Sequence, residues 1–455
     1  MESINRISVI GLGKLGGSMA AAFASCGFDV IGVDVNPAVV RAFNEGKAPV
    51  QETGLEELIY ANTARLHATV DTQKAVLETD ISFVIVPTPS DQKGAFSLRY
   101  AIDAFAELGR ALKEKRSYHV IVMTSTVLPG SVRNVLLPIL EQESGLRCGH
   151  DFGLCYNPEF IALGSVIRDF LNPDFYLLGQ FDKRSGDWLE SVHQRVSQNC
   201  APVKRMTLEN AELAKIAVNS FVTLKISFAN MLAEFCEHIP DGDVDVVSDA
   251  LGMDKRIGRK YLTGGLGFAG PCFPRDNAAL AFLGQYLGVD SDLLKANDEY
   301  NSRISNRLMA RLHRLIPSEG TVAILGLSYK PLSHIVDASS GVALAKRFVA
   351  AGYRVQAHDC LAVDEARSII GPHALLTTSL DQALAGADIV LVTTTDAPYL
   401  KLSASEIVNK NRRVILVDFW RCLGHLKSVD NIHYIPGGRC VENDLASDRL
   451  SKLWS

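Results

Sequence analysis

A glycine-rich turn near the N-terminus constrains this chain more than any other feature. A short apolar strand at 7–10 runs into Gly11, Gly13 and Gly16 and then into an alanine-rich helical stretch. The first glycine permits a tight turn, the second lets the backbone approach a pyrophosphate, and the third lets the helix pack on the strand. The next strand ends at Asp34, whose carboxylate accepts hydrogen bonds from a ribose and repels a 2′-phosphate. This order predicts a dinucleotide-binding α/β unit that prefers NAD to NADP.

Composition allows an enzyme of this kind and excludes several other classes. The 455 residues provide material for about three domains, and 47% of them are hydrophobic. A net charge of −5 gives no basic surface for nucleic acid. We expect no membrane span, because no apolar run approaches the required length, and no signal peptide, because the chain opens on a core strand. Nine scattered cysteines without a CxxC pair indicate reduced cytoplasmic thiols, and the histidines lack ligand spacing, so no metal is expected.

An internal echo of the first unit recurs late in the chain. The stretch 23–28 leads to Asp34, and 325 positions further on the similar stretch 348–353 leads to Asp359. Both indicate a helix end, a glycine and a strand that closes on an aspartate. We therefore predict an α/β fold with two Rossmann-like, doubly wound parallel-sheet domains. The second lacks the GxGxxG pattern and is expected to hold something other than the dinucleotide.

The segment between the two halves has a different character. Thr207 is a candidate N-cap, and no Pro or Gly follows it before Pro240. This pattern predicts a helix of about thirty residues that joins the halves together with a small helical domain. Lys215 and Asn219 lie one turn apart on this helix and can be presented to a cleft. Periodicity alone favours the simpler interpretation of two solvated polar residues on an ordinary amphipathic helix.

A glycine- and proline-rich segment around Cys272 carries a candidate nucleophile. Pro271 and Pro274 stiffen the chain around the thiol, and Asp276 follows four residues after it. Arg275 could favour the thiolate, which is the nucleophilic form. Taken alone, such a cysteine is more often a small packed residue. Beside an NAD site, however, a thiol lets a dehydrogenase trap an aldehyde and oxidise it again.

With these motifs in place, the chain resembles the nucleotide-sugar 6-dehydrogenase family, the UDP-glucose/GDP-mannose dehydrogenases, in order from the first strand to about Arg421. The matching segments are VPTP at 86–89, TSTV at 124–127, YNPEF at 156–160, the helix at 210–228, RIG at 256–258, GFAGPCFPRD at 267–276 and GLSYKP at 326–331. The resemblance implies an NAD-binding domain over 1–203, a central helical domain for dimerisation and catalysis over 204–300, and a C-terminal nucleotide-sugar-binding domain over 301–455.

The implied reaction is a four-electron oxidation at C6 of a nucleoside-diphosphate hexose, with UDP-glucose favoured by the NPEF loop and two NAD used in turn. The implied catalytic residues are Cys272, Lys215, Asn219, Asp276, Glu159 and Thr126. The implied cofactor-binding residues are Gly11, Gly13, Leu15, Gly16, Asp34, Thr88 and Thr126. The implied substrate-binding residues are Glu159, Phe160, Lys215, Asn219, Arg256, Tyr261, Gly267, Phe268, Phe273 and Lys330.

Each implied catalytic residue has a role in that scheme. Cys272 would add to the C6 aldehyde and then carry a thioester that water releases. Lys215 and Asn219 would stabilise the developing oxyanion. Asp276 and Thr126 would position or activate water, and Glu159 would serve as acid or base. Arg256 would reach across the interface of a homodimer, so an isolated monomer would have an incomplete site.

Several positions depart from the family's pattern, among them three outside the Cys272 segment. Leu163 replaces a second Glu after the NPEF motif, Asp337 stands where an Arg would aid the cofactor pyrophosphate, and Trp420 replaces a nucleotide-binding Arg. Arg421 lies one residue beyond that position. Other substrates therefore stay open, namely a UDP-N-acetylhexosamine or GDP-mannose. A two-electron dehydrogenase of the β-hydroxyacid type and a non-catalytic sugar-nucleotide-binding protein are further alternatives.

Overall fold

The computed structural model describes residues 4–91, 94–162, 164–317, 319–408 and 413–453. The chain forms two compact units, Met1–Val218 and Asn219–Ser455. Each unit is an α/β structure with one central sheet, and a long helix runs from the first unit into the second. This confirms the predicted fold class of two Rossmann-like domains with a central helix.

The first unit is built on a sheet whose described strands number eight. They are β1 (Arg6–Ile10), β2 (Asp29–Val33), β3 (Leu66–Thr69), β4 (Ile81–Val84), β5 (Val120–Met123), β6 (Gly153–Tyr156), β7 (Tyr176–Gln180) and β8 (Val203–Thr207). Their order is β3-β2-β1-β4-β5-β6-β7-β8. Neighbours are parallel except β6 and β7, which pair antiparallel. The sheet is thus parallel as predicted except at this one pair. The apolar residues of a strand do not indicate in which direction it pairs with its neighbour.

Helices cover both faces of this sheet. They are α1 (Lys14–Ser25), α2 (Pro37–Asn44), α3 (Leu55–Ala61), α4 (Thr72–Glu78), α5 (Arg99–Glu114), a π-helical turn (Val132–Leu136) that continues into α6 (Leu137–Ser144), α7 (Val166–Leu171) and α8 (Lys183–Val196). Two apolar clusters fill the space between helices and sheet, one around Phe23 and Phe83 and the other around Phe105 and Leu108. Burial on both faces explains the nearly continuous apolar strands.

The helix α9 (Leu208–His238) has 31 residues, which confirms the predicted length. The hydroxyl oxygen of Thr207 accepts a hydrogen bond from the Asn210 N–H at 3.4 Å, as expected of an N-cap. By length and composition alone, α9 could also cross a membrane, with a mean hydropathy of 1.4 over its most apolar window. The expectation that no segment reaches that length is therefore wrong for this helix. Core helices of globular proteins pass the same test, so the finding is weak evidence for a membrane span.

The second unit repeats the order of the first six strands of the first unit. Its strands are β9 (Thr321–Leu325), β10 (Arg354–His358), β11 (Ala374–Thr377), β12 (Ile389–Val392), β13 (Val414–Asp418) and β14 (Ile432–Pro436). They form a parallel sheet in the order β11-β10-β9-β12-β13-β14. The echo between the stretches before Asp34 and Asp359 therefore marks a repeated architecture.

Helices precede and surround the second sheet. They are α10 (Val244–Met253), α11 (Phe273–Leu287), α12 (Asp292–Leu312), α13 (Ser340–Ala350), α14 (Val363–Ile370), α15 (Leu380–Leu384), α16 (Ala397–Leu400), α17 (Ala404–Ile407) and α18 (Asn443–Ser451), with a 3₁₀ turn at Gly424–Leu426. The predicted boundary at 300 falls within α12, and the one at 203 falls within β8. The boundary between the compact units falls within α9.

Candidate active site

The glycine turn between β1 and α1 is shaped for a pyrophosphate. Gly11 has a φ of +96°, and a Cβ on Gly16 would lie 1.9 Å from the Gly11 carbonyl oxygen. Gly13 is the N-cap of α1 without a side-chain cap, and no described atom lies within 4 Å of where its Cβ would be. The first N–H groups of α1, including that of the half-buried Leu15, have no acceptor within the helix. An anionic pyrophosphate fits this cradle.

Asp34 closes β2 at the edge where a ribose would lie. Its Oδ2 accepts the N–H of Leu12 at 2.9 Å, and its Oδ1 accepts the N–H of Asn36 at 2.8 Å. Each carboxylate oxygen accepts more than one hydrogen bond. The half-buried Asp34 is therefore held in place and keeps the capacity to accept from ribose hydroxyls.

The carboxyl ends of β4 and β5 are tied together by hydroxyl groups. Thr88 donates its hydroxyl hydrogen to the Thr126 carbonyl oxygen at 2.9 Å. Ser125 accepts from the Val86 N–H at 3.0 Å and donates to the Val86 carbonyl at 2.6 Å. The strand order reverses between β1 and β4, and open α/β sheets bind ligands at the carboxyl ends beside such a reversal. Thr88 and Thr126 lie in the loops at that edge.

Glu159, Phe160 and Lys215 form a group beyond the end of β6. The Lys215 side chain is only 7% exposed, and its Nζ lies 4.4 Å from the centre of the Phe160 ring. Glu159 Oε1 is buried without a hydrogen-bond partner in the described part of the chain. Burial raises the pKa of Glu159 to about 8, while the Lys215 ammonium lowers it. A carboxyl group with such a pKa can both give and take a proton near neutral pH.

A buried histidine that the sequence did not single out holds the start of the NPEF loop. Asn157 donates from Nδ2 to the Leu177 carbonyl at 3.2 Å, which leaves its Oδ1 facing His193 Nε2 at 2.7 Å. Burial lowers the pKa of His193 to about 3, so the ring is neutral and Nε2 carries the hydrogen. This pair fixes the backbone two residues before Glu159.

In the second unit, Cys272, Asp276 and Asn219 lie together at the start of α11. Cys272 is exposed and is the N-cap of α11, and its carbonyl oxygen accepts the Asp276 N–H at 2.8 Å. Asp276 is 1% exposed, and its Oδ2 accepts a hydrogen bond from Asn219 Nδ2 at 2.7 Å. Arg275 lies 3.3 Å from the other carboxylate oxygen. The thiol thus lies at the positive end of a helix dipole, which stabilises negative charge.

A buried polar network behind Cys272 was missed by the sequence analysis. Asn277 donates to Asp298 Oδ1 at 2.8 Å and also contacts the hydroxyl of Thr223. The same hydroxyl oxygen accepts from Asn297 Nδ2 at 2.9 Å. Burial raises the pKa of Asp298. This network joins α9, α11 and α12 and holds the helix that carries the thiol, and only the polar pair Asp276-Asn277 hinted at it.

The loop before Cys272 is held by residues far along the chain. Asn301 accepts the Phe268 N–H at 2.9 Å and donates to the Phe268 carbonyl at 3.0 Å, and a Cβ on Gly267 would lie 2.4 Å from Asn301 Oδ1. The Gly270 N–H donates to the Asp337 carbonyl at 2.8 Å, and the Gly270 Cα faces the Tyr329 ring. Phe268 is therefore a buried anchor of this loop, and its place among the substrate contacts stays a prediction.

The remaining predicted substrate contacts occupy separate positions. Tyr261 is exposed, and its ring lies edge-on to Phe273 at 6.5 Å. Lys330 is half-buried, with its Nζ 5.7 Å from the Tyr329 ring centre. Arg256 is 88% exposed and pairs with Asp254 at 2.5 Å. The contact of Arg256 across a dimer interface stays a prediction.

Comparison with known proteins decides the family. Sequence models of the UDP-glucose/GDP-mannose dehydrogenase family match the NAD-binding domain at residues 5–197, the central domain at 209–303 and the UDP-binding domain at 323–425. The chain belongs to this family. It is an NAD-dependent oxidoreductase of the nucleotide-sugar 6-dehydrogenase type.

Individual relatives of this dehydrogenase carry two different substrate names. GDP-mannose 6-dehydrogenase of Pseudomonas aeruginosa is 35% identical over 87% of this chain and 93% of its own. UDP-glucose 6-dehydrogenase AglM of Haloferax volcanii is 35% identical over 85% of this chain and 90% of its own. A UDP-glucose dehydrogenase structure from Pyrobaculum islandicum has a TM-score of 0.84 at 32% identity and covers 96% of this chain and 98% of its own.

The departure at Trp420 and the neighbouring Arg421 have structural explanations. The Trp420 ring packs beside Gly265 and donates from Nε1 to the Thr393 carbonyl at 2.9 Å. The Arg421 side chain is 2% exposed and pairs with Asp245 at 2.8 Å. Arg421 also donates to the carbonyls of Phe419, Gly437, Thr263 and Gly264. Arg421 thus fastens the glycine loop to the second sheet, and its guanidinium is taken up by these contacts.

The departures at Asp337 and Leu163 differ in what the structure shows of them. Asp337 is exposed, and its carbonyl holds Gly270. Leu163 lies outside the described residues. Among the described residues, no group of three or more His, Cys, Asp or Glu could hold a metal ion. All nine cysteines lie in the described ranges, and none of them forms a disulfide.

Proposed function

We propose that this dehydrogenase oxidises C6 of a nucleoside-diphosphate hexose to the uronate in four electrons through a covalent bond to Cys272. One observation carries the proposal: an exposed thiol caps α11, and the first turn of that helix holds the buried Asp276, which accepts a hydrogen bond from Asn219 of α9. A thiol can retain an aldehyde between two oxidations. A two-electron dehydrogenase would have no use for a nucleophile in this position.

The proposed chemistry assigns each step to a residue. The glycine turn and Asp34 would hold NAD, which would supply the hydride acceptor for each oxidation at C6. Cys272 adds to the C6 aldehyde, so an S–C bond forms and the thiohemiacetal oxygen is protonated. Loss of the second hydride and of that proton gives the thioester, and water then breaks the S–C bond. The alcohol, two NAD⁺ and one water become a carboxylate, two NADH and three protons.

Polar groups of the chain support these steps by charge and proton transfer. Lys215 and Asn219 would donate to the oxyanion at C6, where fixed donors have their largest effect. Glu159, whose pKa burial raises to about 8, would take and return the C6 hydroxyl proton. Asp276, already an acceptor for Asn219, and Thr126 would orient the hydrolytic water.

UDP-glucose is the first candidate substrate, and GDP-mannose is the second. The structural neighbour with a TM-score of 0.84 is named a UDP-glucose dehydrogenase, whereas the GDP-mannose dehydrogenase structure at 32% identity has a TM-score of 0.53. A GDP-mannose 6-dehydrogenase is nevertheless 35% identical to this chain. Sequence identity favours neither sugar, and the similarity of the folds supports UDP-glucose.

The stoichiometry of NADH tests both the route and the substrate. NADH released per sugar nucleotide would be measured with UDP-glucose, GDP-mannose, UDP-N-acetylglucosamine and UDP-N-acetylmannosamine. We expect two NADH with one of these, and a loss of turnover of about 1,000-fold or more in Cys272→Ser, because the covalent nucleophile is removed. Cys200→Ser, another exposed thiol, is the matched control. One NADH per sugar with an unimpaired Cys272→Ser would overturn the covalent route.

We propose that the enzyme acts as a homodimer whose subunits meet along α9. Phe221, Phe228 and Phe235 are all exposed and recur every seven residues, so they form one stripe on the helix. Exposed aromatic residues in line are typical of an interface. Arg256 would then complete the neighbouring site. Phe228→Glu should yield monomers in sedimentation velocity and abolish activity, whereas a dimeric Phe228→Glu protein would contradict this surface.

The cytoplasm is the proposed location of the enzyme. Its nine cysteines, all described, form no disulfide, which fits a reducing compartment. Fractionation of cells that express the tagged protein would test this, with recovery in the membrane fraction as the contrary result.

A further inference from the structure

Glu212 is a fully buried carboxylate to which the proposed chemistry gives no role. It lies in the second turn of α9, three residues before Lys215, and its exposed fraction is zero. The neighbouring Leu208, Ala211 and Ile216 are equally buried, so this side of the helix is packed into the first unit. A charged group in such a place is costly unless hydrogen bonds compensate for the lost water. Its partners therefore explain why it is there.

Those partners are backbone N–H groups at the start of the helical segment that follows β5. Glu212 Oε2 accepts the Gly130 N–H at 2.6 Å, and Oε1 accepts the Val132 N–H at 2.8 Å. Gly130 has a φ of +89°, a conformation that favours glycine. The helical segment begins at Val132, so the carboxylate satisfies donors that the helix leaves unpaired and meets the positive end of its dipole. Burial raises the pKa of Glu212 to about 7, while the two N–H groups oppose this rise.

The same loop carries Thr126, four residues before Gly130. The hydroxyls of Thr88 and Ser125 fix its beginning to the loop after β4. The Glu212 carboxylate fixes its end to α9. Glu212 is thus a direct link between the backbone of the Thr126 loop and the helix that carries Lys215.

We propose that Glu212 is a positioning residue that holds Lys215 in register with the Thr126 loop. The proposal rests on the roles proposed above for those two residues. A shift of about 1 Å between a catalytic group and its substrate can cost about 100-fold in rate. In Glu212→Gln, an amide NH₂ would face one of the two N–H donors and leave it unsatisfied. The loop and the helix would then separate without any change in the groups that touch the substrate.

The test compares Glu212→Gln with Glu209→Gln. Glu209 lies almost one turn earlier on α9 and pairs with the Arg133 side chain instead of the loop backbone. The rate of the first hydride transfer would be measured in a single turnover with UDP-glucose or GDP-mannose, whichever reduces NAD. We expect a loss of about 10-fold or more in Glu212→Gln, with KM for both substrates within about twofold, and almost no change in Glu209→Gln.

A third variant separates positioning from a general loss of stability. Ser82→Ala removes a buried hydroxyl of the same unit that contacts Ser8 and His119. The first-transfer rates of Ser82→Ala and Glu212→Gln would be compared at temperatures that lie equally far below the melting temperature of each variant. A first-transfer rate within twofold of the parent, or an equal loss in Ser82→Ala, would overturn the proposal. Failure of the thioester route alone would leave the first transfer intact, so the two failures are distinguishable.

Hydrogen exchange gives a measurement that needs no substrate. Peptides that cover 124–136 should exchange about 10-fold faster in Glu212→Gln, because one of the Gly130 and Val132 amides loses its acceptor and the loop separates from α9. The same peptides in Glu209→Gln should exchange as in the parent. Unchanged protection in Glu212→Gln would contradict the proposed link even if neither sugar nucleotide reduced NAD.

Discussion

The two sheets share their strand order, but the turns after their first strands differ in what they can bind. Gly11 and Gly326 both have positive φ, +96° and +111°. A Cβ on Gly16 would lie 1.9 Å from the Gly11 carbonyl, and a Cβ on Gly341 would lie 2.0 Å from the Gly326 carbonyl. The close approach of helix to strand is therefore the same in both units.

The length of chain between these glycines is different. Gly16 follows Gly11 by five residues, whereas Gly341 follows Gly326 by fifteen. The additional residues of the second turn include Lys330, and they include Asp337, whose carbonyl holds Gly270 of the loop before Cys272. The first turn is open to a pyrophosphate, and the second is occupied by the protein's own chain.

The aspartates that follow the second strand of each unit also differ in how far the protein itself occupies their carboxylates. Asp34 accepts two backbone N–H groups and is half-buried. Asp359 is 3% exposed. Its oxygens accept the four N–H groups of Leu327, Ser328, Leu361 and Ala362. Packing of an α/β unit and recognition of a dinucleotide are therefore separable properties, and the second unit has kept only the first.

The largest expected effect on stability comes from adding a methyl group at the glycine where, in each unit, the first helix approaches the turn most closely. Gly16→Ala and Gly341→Ala should each lower the free energy of unfolding by about 3 kcal/mol, because the Cβ would overlap a backbone carbonyl. Denaturant unfolding would measure both. Gly13→Ala and Gly424→Ala, where a Cβ meets no described atom within 4 Å, are the controls. A stable Gly341→Ala would show that the second turn is packed differently from the first.

A smaller effect should separate the two acids. Asp34→Asn should weaken NAD binding about tenfold, or about 1.4 kcal/mol, because the ribose loses a charged acceptor. Asp359→Asn should leave NAD binding unchanged but lower the free energy of unfolding by about 2 kcal/mol, because an amide cannot accept all four N–H groups. Calorimetric titration and denaturant unfolding would measure the two quantities. Weakened NAD binding in Asp359→Asn would contradict the assignment of NAD binding to Asp34 and of packing alone to Asp359.

The smallest expected effect is a change of melting temperature with pH, and it concerns the residues that follow the sixth strand of each sheet, β6 and β14. Glu159 follows β6, whereas Gly437 and Gly438 follow β14. Burial raises the folded-state pKa of Glu159 to about 8, so its contribution to stability is complete below pH of about 4.5 and is lost as the pH rises through about 8. Between pH 6 and 9, Glu159→Gln should gain about 2 °C in melting temperature relative to the parent. The exposed control Glu57→Gln should gain none, and an equal gain in both would contradict the assignment.

Local signals in the sequence predicted much of the fold. The Thr207 cap and the absence of Gly and Pro before Pro240 predicted α9 because helix ends are encoded by nearby residues. The echo before Asp34 and Asp359 predicted the repeated sheet. The antiparallel pairing of β6 and β7 was not predictable from their apolar residues, because pairing direction depends on the path of the connecting chain.

The sequence predicted the candidate residues of the site, but it did not predict the residues that hold them in place. The motif order identified Cys272 and Asp276 as candidates, and the structure places both at the start of α11. The motif order did not indicate that Arg421 would be buried and paired with Asp245, which lies 176 positions away. Glu212 was visible only as an acid near a helix start. Contacts between distant positions leave no periodic pattern, so such supports need coordinates.

The continuity of α9 limits how the length of this chain can vary. The boundary between the compact units falls between Val218 and Asn219, inside the helix. Inserting or deleting one residue between Lys215 and Asn219 would rotate one relative to the other by about 100° around the helix axis and move them off a common face. Insertions in the surface loops of either unit should be tolerated, but the three residues between this pair should tolerate changes of type and no change of number.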